Sequence, residues 1–173
     1  ANGVYARIPD GTGAFVDVAT STKGKLNLMT NPIVINEVES KDSQDGADWV
    51  ELANPTDKEL DVSGIVIKDN DDSHVYTIPA GTTIGANGFI VIDENALGFG
   101  LGGEDAVRLY EGDLQIGNVS WNEHANPTLG LYPDVNGSEY RNTKEATPGG
   151  TNKFHDIPEV IDWQGDNTVT IFD

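Results

Sequence analysis

The 173-residue sequence contains no cysteine. This absence excludes a disulfide framework, a thiol nucleophile and any metal site that depends on cysteine ligands. It does not argue against export, because disulfides are permitted rather than required outside the cytosol.

Long apolar runs are also missing. None approaches the roughly 20 residues that a membrane-spanning helix needs, so we expect no direct membrane insertion. The sequence begins Ala1-Asn2-Gly3, which is not the pattern of a signal peptide. We therefore expect any export signal or anchor to lie outside this sequence, in a larger parent protein.

Basic residues are scarce. Ten Lys and Arg residues stand against 29 Asp and Glu residues, and the formal net charge is −19. Nucleic acids and anionic lipids are bound mainly through Lys and Arg contacts with phosphate, so we expect neither as a partner. The acidity has two explanations that the sequence leaves open: solubility through self-repulsion, or a surface that collects divalent cations outside the cell.

The sequence is rich in short apolar runs bounded by Gly, Asn, Asp and Pro, without helical spacing. This pattern predicts an all-β fold, and frequent turn signals between short strands are typical of a sandwich or barrel. Only Glu94 to Phe99 has the composition of a short helical turn. The predicted strands are Ile33 to Glu39, Asp48 to Ala53, Gly64 to Lys68, His74 to Ile78, Gly88 to Asp93, Ala106 to Tyr110 and Leu114 to Trp121.

Alternation within these strands separates a core face from a wet face. The runs Ile65 to Ile67 and Phe89 to Ile92 are continuously apolar, which predicts central strands covered on both sides. The predicted core side chains are Val50, Leu52, Ile67, Ile78, Ile90, Ile92, Val107 and Leu109.

An internal repeat connects the N-terminal segment with the end of the main domain. Tyr5 to Phe15 and Leu129 to Tyr140 share a Pro-Asp turn, a following Gly and a closing aromatic residue. Each copy continues through Thr-rich sequence to a Gly-x-x-Asn motif, which ends at Asn27 and at Asn152. We interpret residues 1–30 as an extension that resembles the tail of a preceding copy of the domain. The pattern leaves open whether it is a remnant or an extension that docks on the main domain.

Both terminal segments pose the same structural problem, since a strand without its own sheet carries unpaired backbone groups. Residues 4–18 should therefore be disordered or add to an exposed sheet edge, of this molecule or of a neighbour, and their apolar side chains favour docking. Past Asn152, residues 153–173 contain Trp163 and an alternating segment from Thr168 to Phe172. We interpret them as a linker and the start of a following domain.

Several segments in the middle of the chain occur together in a characteristic order. They are Ile33 to Val38, Asp48 to Pro55, Leu60 to Asp69, Tyr76 to Ile84, Gly88 to Ile92, Gly103 to Tyr110 and Tyr132 to Asp134. In order and spacing they closely resemble the bacterial lamin-tail domain family over about residues 32–152. One departure is Ile65, where relatives usually place Trp, and a smaller apolar side chain should still fill core space there.

The resemblance implies an immunoglobulin-like antiparallel β-sandwich over residues 31–152. It also implies a non-catalytic module. Bacterial relatives occur in exported proteins beside hydrolase, nuclease or propeller-like domains. Nuclear lamins carry the same domain as an interaction module. Fold analogy alone does not identify a partner.

Carboxylates lie near one strand pair, where Asn36 and Glu37 interrupt an apolar strand and Asp48 and Glu51 bracket Trp49. Such a cluster either binds a cation or satisfies backbone donors, and we favour the second because short polar side chains at strand ends usually bond to nearby turns.

The most specific metal hypothesis is calcium, the one cofactor for which the sequence offers candidate ligands. Asp69, Asp71 and Asp72 lie in a run of five oxygen-bearing side chains, the chemistry that hard cations prefer. The EF-hand template fails, because His74 replaces its central Gly and Ala80 its bidentate Glu. A solvated hairpin loop explains the same residues, since Asp and Asn favour turns without any metal.

No catalytic constellation can be assembled from the sequence. His74, His124 and His155 stand in unrelated contexts, and no metalloprotease, nucleophile-elbow or phosphate-loop motif occurs. The three Trp residues could form a sugar-stacking platform, but Trp inside a strand pattern is more often packed in the core.

Two functional classes therefore remain open. The first is a structural or protein-interaction module on a bacterial cell surface or in the extracellular space, whose partner is an unknown protein or cell-surface polymer. The second is a substrate-targeting accessory of a secreted hydrolase that binds polysaccharide or depends on calcium. Edge-strand self-association is a further expected route of association.

Overall fold

A computed structural model describes residues 4–8, 14–18, 23–24, 31–41 and 46–155. The chain forms two antiparallel sheets that enclose one apolar core, together with two smaller strand pairs. In this described part of the chain, no helix is long and apolar enough to cross a membrane.

One sheet has five strands in the order β13-β12-β3-β4-β9. Its central strand β3 pairs with β4 on one side and with β12 on the other, although β12 lies far away in the sequence. The strands span Val34–Glu39 (β3), Trp49–Ala53 (β4), Phe89–Asp93 (β9), Leu129–Tyr132 (β12) and Glu139–Asn142 (β13).

The second sheet has four strands in the order β11-β10-β6-β7. β10 and β11 form a hairpin across Gly112, whose φ of +58° favours glycine. The strands span Val66–Lys68 (β6), Tyr76–Thr77 (β7), Asp105–Glu111 (β10) and Leu114–Trp121 (β11).

Short elements join the two sheets. Leu60–Asp61 (β5) pairs with Thr83–Ile84 (β8). After β9, Glu94–Leu97 (α1) forms one helical turn, because Asp93 accepts a hydrogen bond from the Ala96 N–H as its N-cap. The sequence-based prediction of a helical turn here is confirmed.

The core lies between the inner faces of the two large sheets. Ile65 fills core space and is 1% exposed, as expected for the smaller side chain at that position. Seven of the eight predicted core residues are buried, and Ile90 is half-buried against the cluster. The predicted two-sheet antiparallel sandwich is therefore confirmed.

The prediction for Phe89 to Ile92 as a central strand is wrong. β9 pairs only with β4 and forms an edge of the five-stranded sheet, and Val91 is 38% exposed. A continuous apolar run does not distinguish a buried strand from an edge strand whose other residues pack inward.

The N-terminal segment is an ordered hairpin that does not extend a large sheet of this chain, and its addition to a sheet edge of a neighbour stays a prediction. Val4–Ile8 (β1) and Ala14–Val18 (β2) pair with each other in a separate two-stranded sheet and do not extend an edge of the large sheets. The hairpin pairs the backbone groups between its two strands and leaves the outer edge of each strand open. The prediction of a strand near residues 168–172 lies outside the described residues.

We predict that removing residues 1–30 leaves a folded sandwich with a melting temperature lowered by only a few degrees. The reason is that every strand of the two large sheets lies in residues 31–155. Thermal unfolding followed by circular dichroism checks this. Removing residues 1–35, which also deletes the buried Ile33 and Ile35, should abolish cooperative unfolding. Complete unfolding of the shorter deletion would make the N-terminal hairpin an integral part of the sandwich.

Candidate functional site

The most unusual feature of the five-stranded sheet is a pair of buried carboxylates. Glu37 on β3 lies directly opposite Glu51 on β4, and both are 0% exposed. The register between the strands shifts between Ile35 and Glu37. This bulge lets Ile35 and Val38 both face the core, while Glu37 points to the outer face of the sheet.

Residues 143–152, which we call the strap, cover this carboxylate pair. The Thr147 hydroxyl donates to Glu37 at 2.7 Å, and its N–H donates to the same carboxylate at 3.2 Å. The Gly149 N–H donates to Glu51 at 2.5 Å. Glu37 also accepts a hydrogen bond from the hydroxyl of Thr128. The interpretation that this cluster satisfies backbone donors is confirmed for Glu37 and Glu51.

A second set of bonds ties the strap to the hairpin turn after β12. The side-chain amide of Asn152 donates to the Asn36 carbonyl at 2.9 Å, and its N–H donates to Asp134 at 3.0 Å. Asn36 in turn donates to Asp134 at 3.1 Å and to Glu51 at 2.9 Å. Bulge, turn and strap therefore form one buried polar network.

Glu37 and Glu51 are buried acids whose charge no basic side chain of the described residues balances. Burial raises the pKa of Glu51 to about 7, against opposing hydrogen bonds from Asn36 and Gly149, and nearby Glu37 and Asp134 raise it further. Burial likewise raises the pKa of Glu37, although bonds from Thr128 and Thr147 lower it. Among the described residues, no Lys or Arg forms an ion pair with either carboxylate. The arrangement closes the outer face of the sheet and leaves both carboxylates buried beneath the strap.

The three calcium candidates lie together in the loop between β6 and β7, but their carboxylates have other partners. Asp69 is buried, accepts a hydrogen bond from the Asp71 N–H at 2.7 Å and lies 2.6 Å from His74 Nδ1. Asp71 accepts bonds from the N–H and hydroxyl of Ser73. Asp72 lies 3.0 Å from the guanidinium of Arg108.

This geometry is that of a hairpin loop stabilised by its own side chains. In the described ranges, no group of three or more His, Asp or Glu residues is placed to hold a metal ion. The calcium hypothesis remains a prediction, and an ion bound by Asp69 and Asp72 would compete with His74 and Arg108 for their carboxylates.

The histidines are engaged in local contacts. His74 stacks on Phe99 with ring centroids 5.1 Å apart, and its bond with Asp69 raises its pKa. His124 Nδ1 lies 3.1 Å from the Ser40 hydroxyl, and His155 is exposed. Of the three Trp residues, Trp121 packs in the core and donates to the Gly102 carbonyl at 2.8 Å. Trp163 lies outside the described residues.

The outer face of the four-stranded sheet carries a surface that we call the cation–tyrosine patch: Lys68, Arg108, Tyr110, Val66 and Val75. The inward neighbours Ile67, Val107 and Leu109 are buried, so alternation places the first four patch residues on the outer face. Lys68 Nζ lies 5.7 Å and Arg108 Cζ lies 6.0 Å from the Tyr110 ring centroid. Four of the five patch residues, without Arg108, line a hollow of about 330 Å³ together with Gly112 and Asp113.

Sequence reasoning missed this patch. Arg108 was assigned to a wet face, but Val66 was expected to be covered on both sides, and that expectation is wrong because Val66 is half-buried on the outer face. The pairing of Arg108 with Lys68 and of Tyr110 with Val66 brings the patch residues together. The alternating positions of two basic residues and a Tyr in an otherwise acidic chain were the available signal. The facing of Glu37 and Glu51 also needed the bulge, which the sequence did not mark.

The family model of the Lamin Tail Domain matches residues 29–145. The match covers the two large sheets through β13 and the first residues of the strap. No curated protein and no solved structure matches the chain significantly.

We predict that the free energy of unfolding falls as the pH rises from about 5 to 8. Because the pKa of Glu51 is raised from 4.5 to about 7 on folding, its contribution to stability is full below 4.5 and is lost as the pH rises through 7. The shift corresponds to roughly 3 kcal/mol at 1.36 kcal/mol per pKa unit. Glu51→Gln should flatten the slope in chemical denaturation at a series of pH values.

The control for this experiment is Glu59→Gln, which removes the same charge from an exposed position. It should leave the slope of the parent chain unchanged. An equal slope in the Glu51→Gln variant and the parent would contradict the assignment of a titrating, buried Glu51.

We predict weak calcium binding at most, centred on Asp69, Asp71 and Asp72. Their carboxylates already accept hydrogen bonds or contact basic groups, so calorimetry should show millimolar-range binding, as in extracellular modules with incomplete cages, or none. A micromolar site that disappears in Asp71→Ala, but not in Asp113→Ala, would contradict this.

Proposed function

We propose that this chain, which belongs to the lamin tail domain family, is a protein-interaction module of a larger secreted or cell-surface bacterial protein. The family is a non-enzymatic family of immunoglobulin-like interaction modules. The bacterial and extracellular setting rests on the resemblance of the sequence to bacterial members.

The two outer faces of the sandwich differ in how accessible they are to a partner protein, and this difference supports the proposal. On the five-stranded sheet, the strap covers the surface above Glu37 and Glu51. On the four-stranded sheet, the outer face carries the cation–tyrosine patch, with Val75 50% exposed. A partner therefore has access to the second face.

The cation–tyrosine patch is the single observation that carries the proposal. Tyr and Arg are enriched among the residues that dominate binding energy at protein interfaces. Here Tyr110 is held by bonds from Arg108 at 3.4 Å and to Gln115 at 3.0 Å, so its ring is ordered before binding. Lys68 and Arg108 lie beside it to contact carboxylates of a partner. Asp72 and Asp113 nearby limit the net charge, so the partner contributes apolar as well as acidic groups.

The same patch supports a second candidate, the carbohydrate-targeting accessory of a secreted hydrolase. A half-exposed Tyr ring beside the amide of Gln115 combines a stacking surface with polar groups that can bond sugar hydroxyls. The two candidates use the same residues and differ in the ligand.

Binding measurements distinguish the candidates. We predict that immobilised chain binds bacterial envelope protein saturably, and that Lys68→Glu combined with Tyr110→Ala weakens binding at least tenfold, or about 1.4 kcal/mol. The control Lys58→Glu makes the same charge change at an exposed loop position and should bind like the parent. Purified cell-wall polysaccharides are tested in parallel. Saturable polysaccharide binding that the double variant abolishes would favour the accessory module, and binding unaffected by the double variant would contradict a role for the patch.

A further inference from the structure

The N-terminal hairpin has the same strand pairing as the hairpin that closes the sandwich. Arg7 pairs with Phe15 in β1 and β2, and Leu131 pairs with Tyr140 in β12 and β13. The two hairpins can be aligned at the residue before the proline, which is Ile8 in one and Tyr132 in the other. All four residue pairs between β12 and β13 then coincide with residue pairs between β1 and β2. The next pair, Val4 with Val18, coincides with Thr128 and Thr143, whose backbones are bonded at 3.0 Å. The sequence repeat is therefore also a repeat of three-dimensional structure.

The agreement continues into the strap. Gly149 lies six residues after Thr143, and Gly24 lies six residues after Val18. Both glycines occupy turns with left-handed backbone, at φ +81° and +77°. Three residues further on, Asn27 corresponds to Asn152, whose side chain bonds the Asn36 carbonyl. Glycine adopts left-handed backbone readily, so this agreement supports the alignment together with the strand register and the position of Asn27.

The two hairpins differ in what covers them. Tyr140 is half-buried against the core and its hydroxyl donates to the Ile35 carbonyl at 2.8 Å. Its counterpart Phe15 is 61% exposed, and Tyr5, the counterpart of Leu129, is 68% exposed. The face that packs on a sandwich in the second copy is thus open in the first. It cannot pack in the same way on this sandwich, because β12 already occupies the edge of β3.

We infer that residues 4–27 are a second closing unit that completes a different copy of this sandwich. The unit adds its first strand to the free edge of a strand equivalent to β3. The sequence that follows this hairpin matches the sequence of the strap, so we expect it to cover a carboxylate pair equivalent to Glu37 and Glu51. Thr22 and Gly24 stand where Thr147 and Gly149 donate to that pair. The partner is therefore a lamin-tail sandwich that lacks its own closing unit and has acidic residues on its two central strands.

Two positions show that the unit is adapted to a different core. Arg7 stands where Leu131 is buried, and Ala6 stands where Gly130 lies beneath the strap. A Cβ on Gly130 would approach the Thr143 side chain to 2.8 Å. The partner accordingly has more space at these two points than the sandwich of this chain.

The inference is tested in a chimera of the whole chain in which residues 129–152 are replaced by a copy of residues 5–27. A second chimera also carries Ala6→Gly and Arg7→Leu in the transplanted copy. We expect cooperative thermal unfolding in at least the second chimera, followed by circular dichroism and the fluorescence of core Trp121. A chimera that carries a scrambled sequence of residues 5–27 should not unfold cooperatively. If neither designed chimera folds cooperatively, the inference is overturned.

Glycine substitutions show whether the transplanted segment forms a strap or only occupies the same space. In the natural chain, Gly149→Val should lower the melting temperature by about 5 °C or more, since valine is strained at this φ, and Gly24→Val should leave it unchanged. In the folded chimera, Gly24→Val in the transplanted copy should lower the melting temperature as Gly149→Val does in the natural chain. A folded chimera that tolerates this valine would show that the strap does not close it, and would also overturn the inference.

Discussion

The buried pair of Glu37 and Glu51 determines how this sandwich is completed. Two opposed carboxylates on the face of a sheet are stable only when donors cover them, because an unpaired buried polar group is costly. Donors for the pair come from Thr128, Thr147 and Gly149, which lie 91 to 110 residues further along the chain than the carboxylates they bond. The sandwich therefore requires the strap. The local reason is the bulge in β3, which turns Glu37 to the outer face of the sheet, where the strap bonds it.

The acidic composition of the chain affects how its stability depends on pH. The chain carries 29 acidic side chains, and most of those that the structure describes are exposed or half-buried. Glu37 and Glu51 are exceptions, since burial opposes their ionisation and raises the pKa of each. Self-repulsion at the surface and these buried acids act in the same direction. Both oppose the folded state as the solution becomes more alkaline, while the hydrogen bonds of the strap act against them.

Much of the fold follows from local sequence, and the remainder depends on register. Alternating runs predict β4, β10 and β11, and Asp93 marks α1 as its N-cap. β12 and β13 were not predicted, because Gly130 and the flanking prolines give β12 the appearance of a turn, and β13 contains no apolar run. Val91 was placed wrongly, because a single strand does not show how many neighbours it has. The cation–tyrosine patch was missed for a related reason, since Lys68 and Tyr110 meet only through the pairing of β6 with β10.

The position of the strap also affects how the protein is made. β3 is synthesised before β12, and its partner β12 and the donors for Glu37 leave the ribosome only after about 90 to 110 further residues. Until then β3 has one open edge and an uncovered acid on its outer face, so the nascent domain cannot reach its final state. Contacts so distant in sequence slow folding. The negative charge of the nascent chain then protects it, because two unfinished copies repel each other before their open edges can pair.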